Sequence, residues 1–168
     1  MQANPGVVAI LLTPLLLLAA CDGTDSRQTS AEERPTDEFA RIEKLAFQSC
    51  MCKLAGHDSS GADRALGSAT DSLETAGGPE TPALPVHVSR TCYPKFGPDA
   101  CLADFWVHEP YGDGAVCSYG QTDDLIAAAK DAHRASPRDD KRADAAVRKR
   151  FEAMRAEAAA KIPRSACN

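Results

Sequence analysis

"FARIEKLAFQSCMCKL", from Phe39 to Leu54, holds the reading that decides the fold. Phe39, Ile42, Ala46 and Cys50 recur every three or four residues, the spacing of one face of an α-helix. Thr36 is a suitable N-cap, and Asp37 and Glu38 place negative charge at the positive end of the helix. Gly56 suits its end, so the pattern predicts a helix from near Thr36 to about Leu54. Cys50 and Cys52 stand two residues apart within it. At about 3.6 residues per turn they point about 200° apart, so their sulfurs leave the helix on nearly opposite sides. Two such sulfurs cannot share one metal ion. Each can bridge to a different later element and clamp the helix between them.

Working outward, Ala62, Leu66, Ala69, Leu73 and Ala76 form one stripe, which predicts a second helix from about Gly61 to Ala76 with Ser60 as cap. Gly77, Gly78 and Pro79 stop it, and "PETPALPV", Pro79 to Val86, is expected to be extended because its prolines disfavour the helical region. "GPDACLADFW" suggests a short helical turn near Pro98 to Phe105, and "FWVHEPYGDGAVCSYG" a small hairpin around a Gly-rich turn. Thr122, Asp123 and Asp124 open a third helix with Leu125, Ile126, Ala129 and Ala132 inward, ending near Ala135. Ser136 and Pro137 begin the longest helix, whose seam is Val147, Phe151, Met154 and Ala158 and whose limit is Ile162, before Pro163.

The chain has 168 residues, 43% of them apolar but only 5% aromatic, so one domain with a thin core is expected. A thin core gains from cross-links, and seven cysteines are present. The expected class is mainly α: a small disulfide-braced helical domain with a short β-hairpin.

Val7 to Ala20 is an almost unbroken apolar run, and no charged side chain occurs in residues 1–20. It falls short of the about 20 residues that span a bilayer, and fits the apolar core of a secretory signal. Leu18, Ala19 and Ala20 lead directly to Cys21. This arrangement resembles the lipobox of bacterial lipoproteins. The resemblance covers residues 1–21 and implies that Cys21 becomes the lipidated first residue of the mature protein. It implies a signal peptide at 1–20, and the polar stretch 21–36 then reads as a flexible tether and 37–168 as the folded domain. The implied location is the bacterial cell envelope, facing periplasm or exterior, with the membrane as a partner through Cys21. Export implies an oxidising compartment, so Cys50, Cys52, Cys92, Cys101, Cys117 and Cys167 are expected to form three disulfides. Six cysteines allow 15 pairings; Cys167 is expected to tie down the chain near its end.

For chemistry, Cys50, Cys52 and His57 are the metal or redox alternative, since thiolates and imidazole bind copper or zinc. No cofactor is expected. Ser118, His108 and Asp104 are nameable as a hydrolase set, but no nucleophile elbow, zinc helix or phosphate loop accompanies them. His57, His87, His108 and His133 read as surface or turn residues, and Glu109 and Asp113 as part of a solvated loop. Phe105, Trp106 and Tyr111 are expected to pack in the core; an exposed Trp106 would turn them into a binding platform. Residues 130–168 carry a net charge of +5 and residues 21–129 a net −10. The basic segment reads as a solvated face partly paired with the acidic remainder, with anionic lipid as the other reading. Export and a net acidic chain argue against nucleic acid. The functional expectation is a non-enzymatic binding or structural module with an envelope protein or peptidoglycan partner. The alternatives are a periplasmic metal-binding or thiol redox protein using Cys50 and Cys52, and an envelope hydrolase.

Overall fold

The structure is a computed structural model that describes residues 35–78 and 81–168. The leader, Cys21 and the tether as far as residue 34 lie outside the described residues. Pro35 and Thr36, assigned to the tether, belong to the first helix.

Helix α1 spans Pro35–Leu54, and Gly56 follows it at φ 69°, a left-handed conformation that costs glycine little. Helix α2, Ser60–Thr70, is shorter than its apolar stripe suggested. Of that stripe only Ala62 is buried; Ala76 instead starts strand β1, Ala76–Gly77, on the edge of a sheet. Residues 71–77 are mostly exposed, so a helix extended past Thr70 would bury little apolar surface.

The mainly α expectation holds for the four α-helices and falls short for the sheet, which is larger than the single hairpin expected. The sheet contains β1, β2 (Thr81–Ala83), β3 (Val86–Cys92), β4 (Cys101–Val107) and β5 (Gly114–Val116). All pairings are antiparallel in the order β1-β3-β4-β5, with β2 also on β3. The expected hairpin exists as β4 and β5, with Phe105 opposite Val116 and Val107 opposite Gly114. The expected helical turn near Pro98 to Phe105 does not. From Phe105 to Val107 burial alternates, with Phe105 and Val107 inward and Trp106 outward, a period of two that belongs to a strand. A short 3-10 turn lies earlier, at Pro94–Phe96.

Helix α3, Tyr119–Ala135, starts earlier than expected because Ser118 caps it, its Oγ accepting from the Gln121 N–H at 3.3 Å. Helix α4, Asp140–Lys161, starts later than Ser136–Pro137 because Asp139 is the cap, its carboxylate accepting from the Arg142 N–H at 3.1 Å. Its seam is as expected: Val147, Phe151, Met154 and Ala158 are all buried. These side chains meet Met51 and Leu54 of α1, Leu125 of α3, and Val86, Phe105, Val107 and Val116 of the sheet in one core.

Three disulfides brace this core. Cys50 joins Cys117, just past β5; Cys52 joins Cys167; Cys92 joins Cys101, its directly opposed partner across β3 and β4. The two α1 sulfurs therefore do leave towards different elements. Around Cys52, Cys167 and Ala62 lies a second small core, where the Ala62 N–H donates to the Cys167 carbonyl at 3.0 Å. Gly61 is required there, because a Cβ would stand 2.0 Å from the Asn168 carbonyl carbon. No helix among the described residues is long and apolar enough to cross a membrane.

Candidate functional site

Ser118 and Cys117 explain why a cleft exists. β5 stops at Val116 because the next residues serve other elements: Cys117 is bonded to Cys50, its N–H donates to Gln121 Oε1, and Ser118 caps α3. β4 is seven residues long, but β5 pairs only with Phe105 to Val107. Beside the uncovered half of β4 a cleft of about 620 Å³ opens between the strand and α1. Glu43, Ala46, Phe47, Cys50 and Lys53 of α1 form one wall; Leu102 to Trp106 of β4 form the other; Ser118 and Tyr119 close one end.

Its surface is aromatic. Among the described residues four large hydrophobic side chains are exposed, and Phe47 (51%), Trp106 (46%) and Tyr119 (60%) line this cleft. Leu84 is the fourth, at the turn before β3. Tyr119 is held by an edge-on contact with the buried Phe105, ring centroids 4.7 Å apart. Trp106 corrects the expectation of a core role; Phe105 meets it, and Tyr111 packs partly buried against the core.

The charges are fixed from outside the cleft. Asp63 of α2 accepts from the buried Ser49 hydroxyl, from Ser59 at 2.8 Å and from the Lys53 ammonium at 2.9 Å. Burial pushes the Asp63 carboxyl upward, but these donors outweigh it and hold it below the usual carboxylate range. Asp104 is different: burial of its carboxyl raises it, with the Lys53 ammonium pulling the other way. As a residue Asp104 remains accessible, so the effect comes from crowding of the carboxyl at the cleft wall. Tyr93 is pushed up by burial and then by the Asp104 charge.

The sequence-derived sets fare unevenly. Cys50 and Cys52 are committed to separate disulfides, and His57 Nε2 lies 3.2 Å from the Ile162 carbonyl oxygen, so the trio does not converge. Among the described residues no group of three or more His, Cys, Asp or Glu is placed to hold a metal. Ser118, His108 and Asp104 do not assemble either. The Ser118 hydroxyl caps α3, the His108 ring lies 5.7 Å from that of His87, and Asp104 stands four residues back along β4, about 13 Å of extended chain. Glu109 and Asp113 are exposed in the β4–β5 loop, and His133 is exposed on α3. The basic segment pairs in part with the acidic remainder: Arg150 of α4 bridges Asp124 of α3 at 2.7 Å.

Sequence reasoning missed Phe47, Tyr119, Lys53 and Glu43. Phe47 was detectable as a large aromatic adjacent to the apolar stripe of α1 rather than on it. Tyr119 was not, because its place depends on where α3 begins. No protein-family model, curated protein or solved structure matches the chain.

Proposed function

We propose that the protein is a lipid-anchored lipoprotein of the bacterial envelope whose folded domain is a non-enzymatic binding module, with the cleft between α1 and β4 as its contact surface. The observation that carries this reading is the exposure of Trp106 beside Phe47 and Tyr119 in one cleft. Solvated aromatic surface is unfavourable by about 25 cal/mol per Å², and clustered aromatics of this kind mark contact sites. Tethering through Cys21 supports it, because a membrane anchor holds such a module among envelope proteins and peptidoglycan.

Two measurements test the reading. Mass spectrometry of the cell-derived protein is expected to find acylated Cys21 at the amino end; Met1 retained, or an unmodified Cys21, overturns the anchor. The emission of Trp106, the single tryptophan, is expected to shift when purified envelope proteins or muropeptides are added, and titration calorimetry, which needs no tryptophan, is expected to show W106A losing the affinity. No shift with either class overturns the binding module. The metal or redox alternative requires free thiols at Cys50 and Cys52, whereas the braces require that neither reacts in the folded, unreduced protein.

A further inference from the structure

The ladder between β3 and β4 shows what the uncovered strand offers. The Tyr93 N–H donates to the Ala100 carbonyl at 2.8 Å. In an antiparallel pair such bonded positions alternate, so Leu102, Asp104 and Trp106 turn their backbone groups towards Thr91, Ser89 and His87. Ala103 and Phe105 turn theirs the opposite way. Phe105 meets Val116 there. The position that would continue β5 opposite Ala103 is Ser118, which has left to cap α3. Among the described residues no strand covers the Ala103 N–H and C=O, and Ala103 lines the cleft.

Charge then limits what can enter. Among the described residues Glu43 and Asp104 stand on the two walls without an ion pair, the Lys53 ammonium is ion-paired with Asp63 while also pulling on Asp104, and Arg90 of β3 is the one unpaired lining cation. With Lys53 neutralised by Asp63 from behind the wall, Glu43 and Asp104 against Arg90 leave the cleft a net charge of −1, with an acid on each wall. We propose that the cleft takes an extended peptide segment of a partner protein, added as a strand to the outer edge of β4 at Ala103, with a Lys or Arg side chain paired to Asp104. Strand addition supplies affinity through the backbone, and side-chain pockets supply choice. Tyr119, packed on Phe105, receives the apolar neighbours of that cation, and Trp106, which shares the Asp104 face of β4, receives the residue two positions along. The inference rests on the binding-module reading and narrows it to one partner chemistry.

The test uses the full mature protein with its disulfides intact. The probe is a blocked seven-residue peptide alternating valine and lysine, compared with its glutamate counterpart and with a form methylated on alternate backbone amides. The lysine peptide is expected to slow hydrogen exchange at the Ala103 N–H and to shift Trp106 emission. The glutamate peptide is expected to bind about tenfold more weakly, a difference of about 1.4 kcal/mol. D104N is expected to abolish that preference without unfolding the protein. Equal binding of the methylated peptide overturns the proposal. So does Ala103 protection that grows with protein concentration alone, which assigns the edge to a second copy. A Trp106 shift with muropeptides but no Ala103 protection by any peptide overturns strand addition and leaves the binding module standing; no shift with any probe overturns both.

Discussion

Cys50 and Cys52 share less than one turn of α1, yet their bonds close loops of very different reach: Cys50 spans 67 residues to Cys117 and Cys52 spans 115 to Cys167. The helix is therefore held from two sides, by the end of the sheet and by the segment that follows α4.

Chain-entropy reasoning separates the longest-range bridge from the shortest. Restriction of the unfolded state gives about 5 kcal/mol for the Cys52–Cys167 loop and about 2.5 kcal/mol for the 9-residue separation of Cys92 and Cys101. Urea unfolding of C52S/C167S should show the larger loss of stability. A larger loss for C92S/C101S would mean that native-state packing, not loop closure, sets the order.

Two glycines should respond to alanine with opposite signs. Gly114 has φ 155°, and a Cβ there would lie 2.9 Å from Phe151 Cζ, so G114A should cost about 1–3 kcal/mol. Gly67 lies within α2 with nothing within 4 Å, so G67A should stabilise by about 0.5–1 kcal/mol. Thermal melts of the two variants give the comparison.

Acid sensitivity should divide between two aspartates. The folded carboxyl of Asp63 lies below its ordinary 3.8, so it stabilises above that pH and the gain is lost as pH falls through the folded value. Asp104 is raised, so its contribution is present below 3.8 and lost as pH climbs through the folded value. D63N should lower stability near neutrality and flatten the acid limb; D104N should raise neutral stability. Melting temperatures between about pH 3 and 7 test both signs, and a destabilised D104N at pH 7 would contradict the second.

Neighbours in sequence should differ sharply on truncation. Phe105 is 5% exposed and Trp106 46%, so F105A should cost about 3–5 kcal/mol and W106A no more than about 0.5 kcal/mol. In the wild-type protein iodide should quench Trp106 readily. Poor quenching would put that ring inside a contact.

The helices were legible because their apolar seams repeat over many residues: Val147, Phe151, Met154 and Ala158 need no tertiary information to be read as one face. The opposed directions of Cys50 and Cys52 followed from helix geometry alone. Cys101 to Val107 was not legible as a strand, because Pro98 and Asp99 imitate a helix start and the strand is defined by its pairing with Val86 to Cys92, a relationship between segments. Helix starts moved for a similar reason. Ser118 and Asp139 outcompeted Thr122 and Ser136 as caps because each places an oxygen on the N–H three residues ahead. The cleft depends on both features at once, since it exists only where β4 outruns β5 and α3 begins at Tyr119. Trp106 was singled out from composition, but its exposure required the strand.

The bond at Cys167 also sets a timetable. During synthesis the thiol of Cys52 has no correct partner until 115 further residues have been added, while Cys50, Cys92, Cys101 and Cys117 all emerge sooner. An oxidant acting in order of emergence would join Cys92 to Cys101 correctly but would pair Cys50 with Cys52 and Cys117 with Cys167. The native pattern therefore calls for late oxidation or for reshuffling by an isomerase, and cells lacking that activity should accumulate a scrambled, protease-sensitive product.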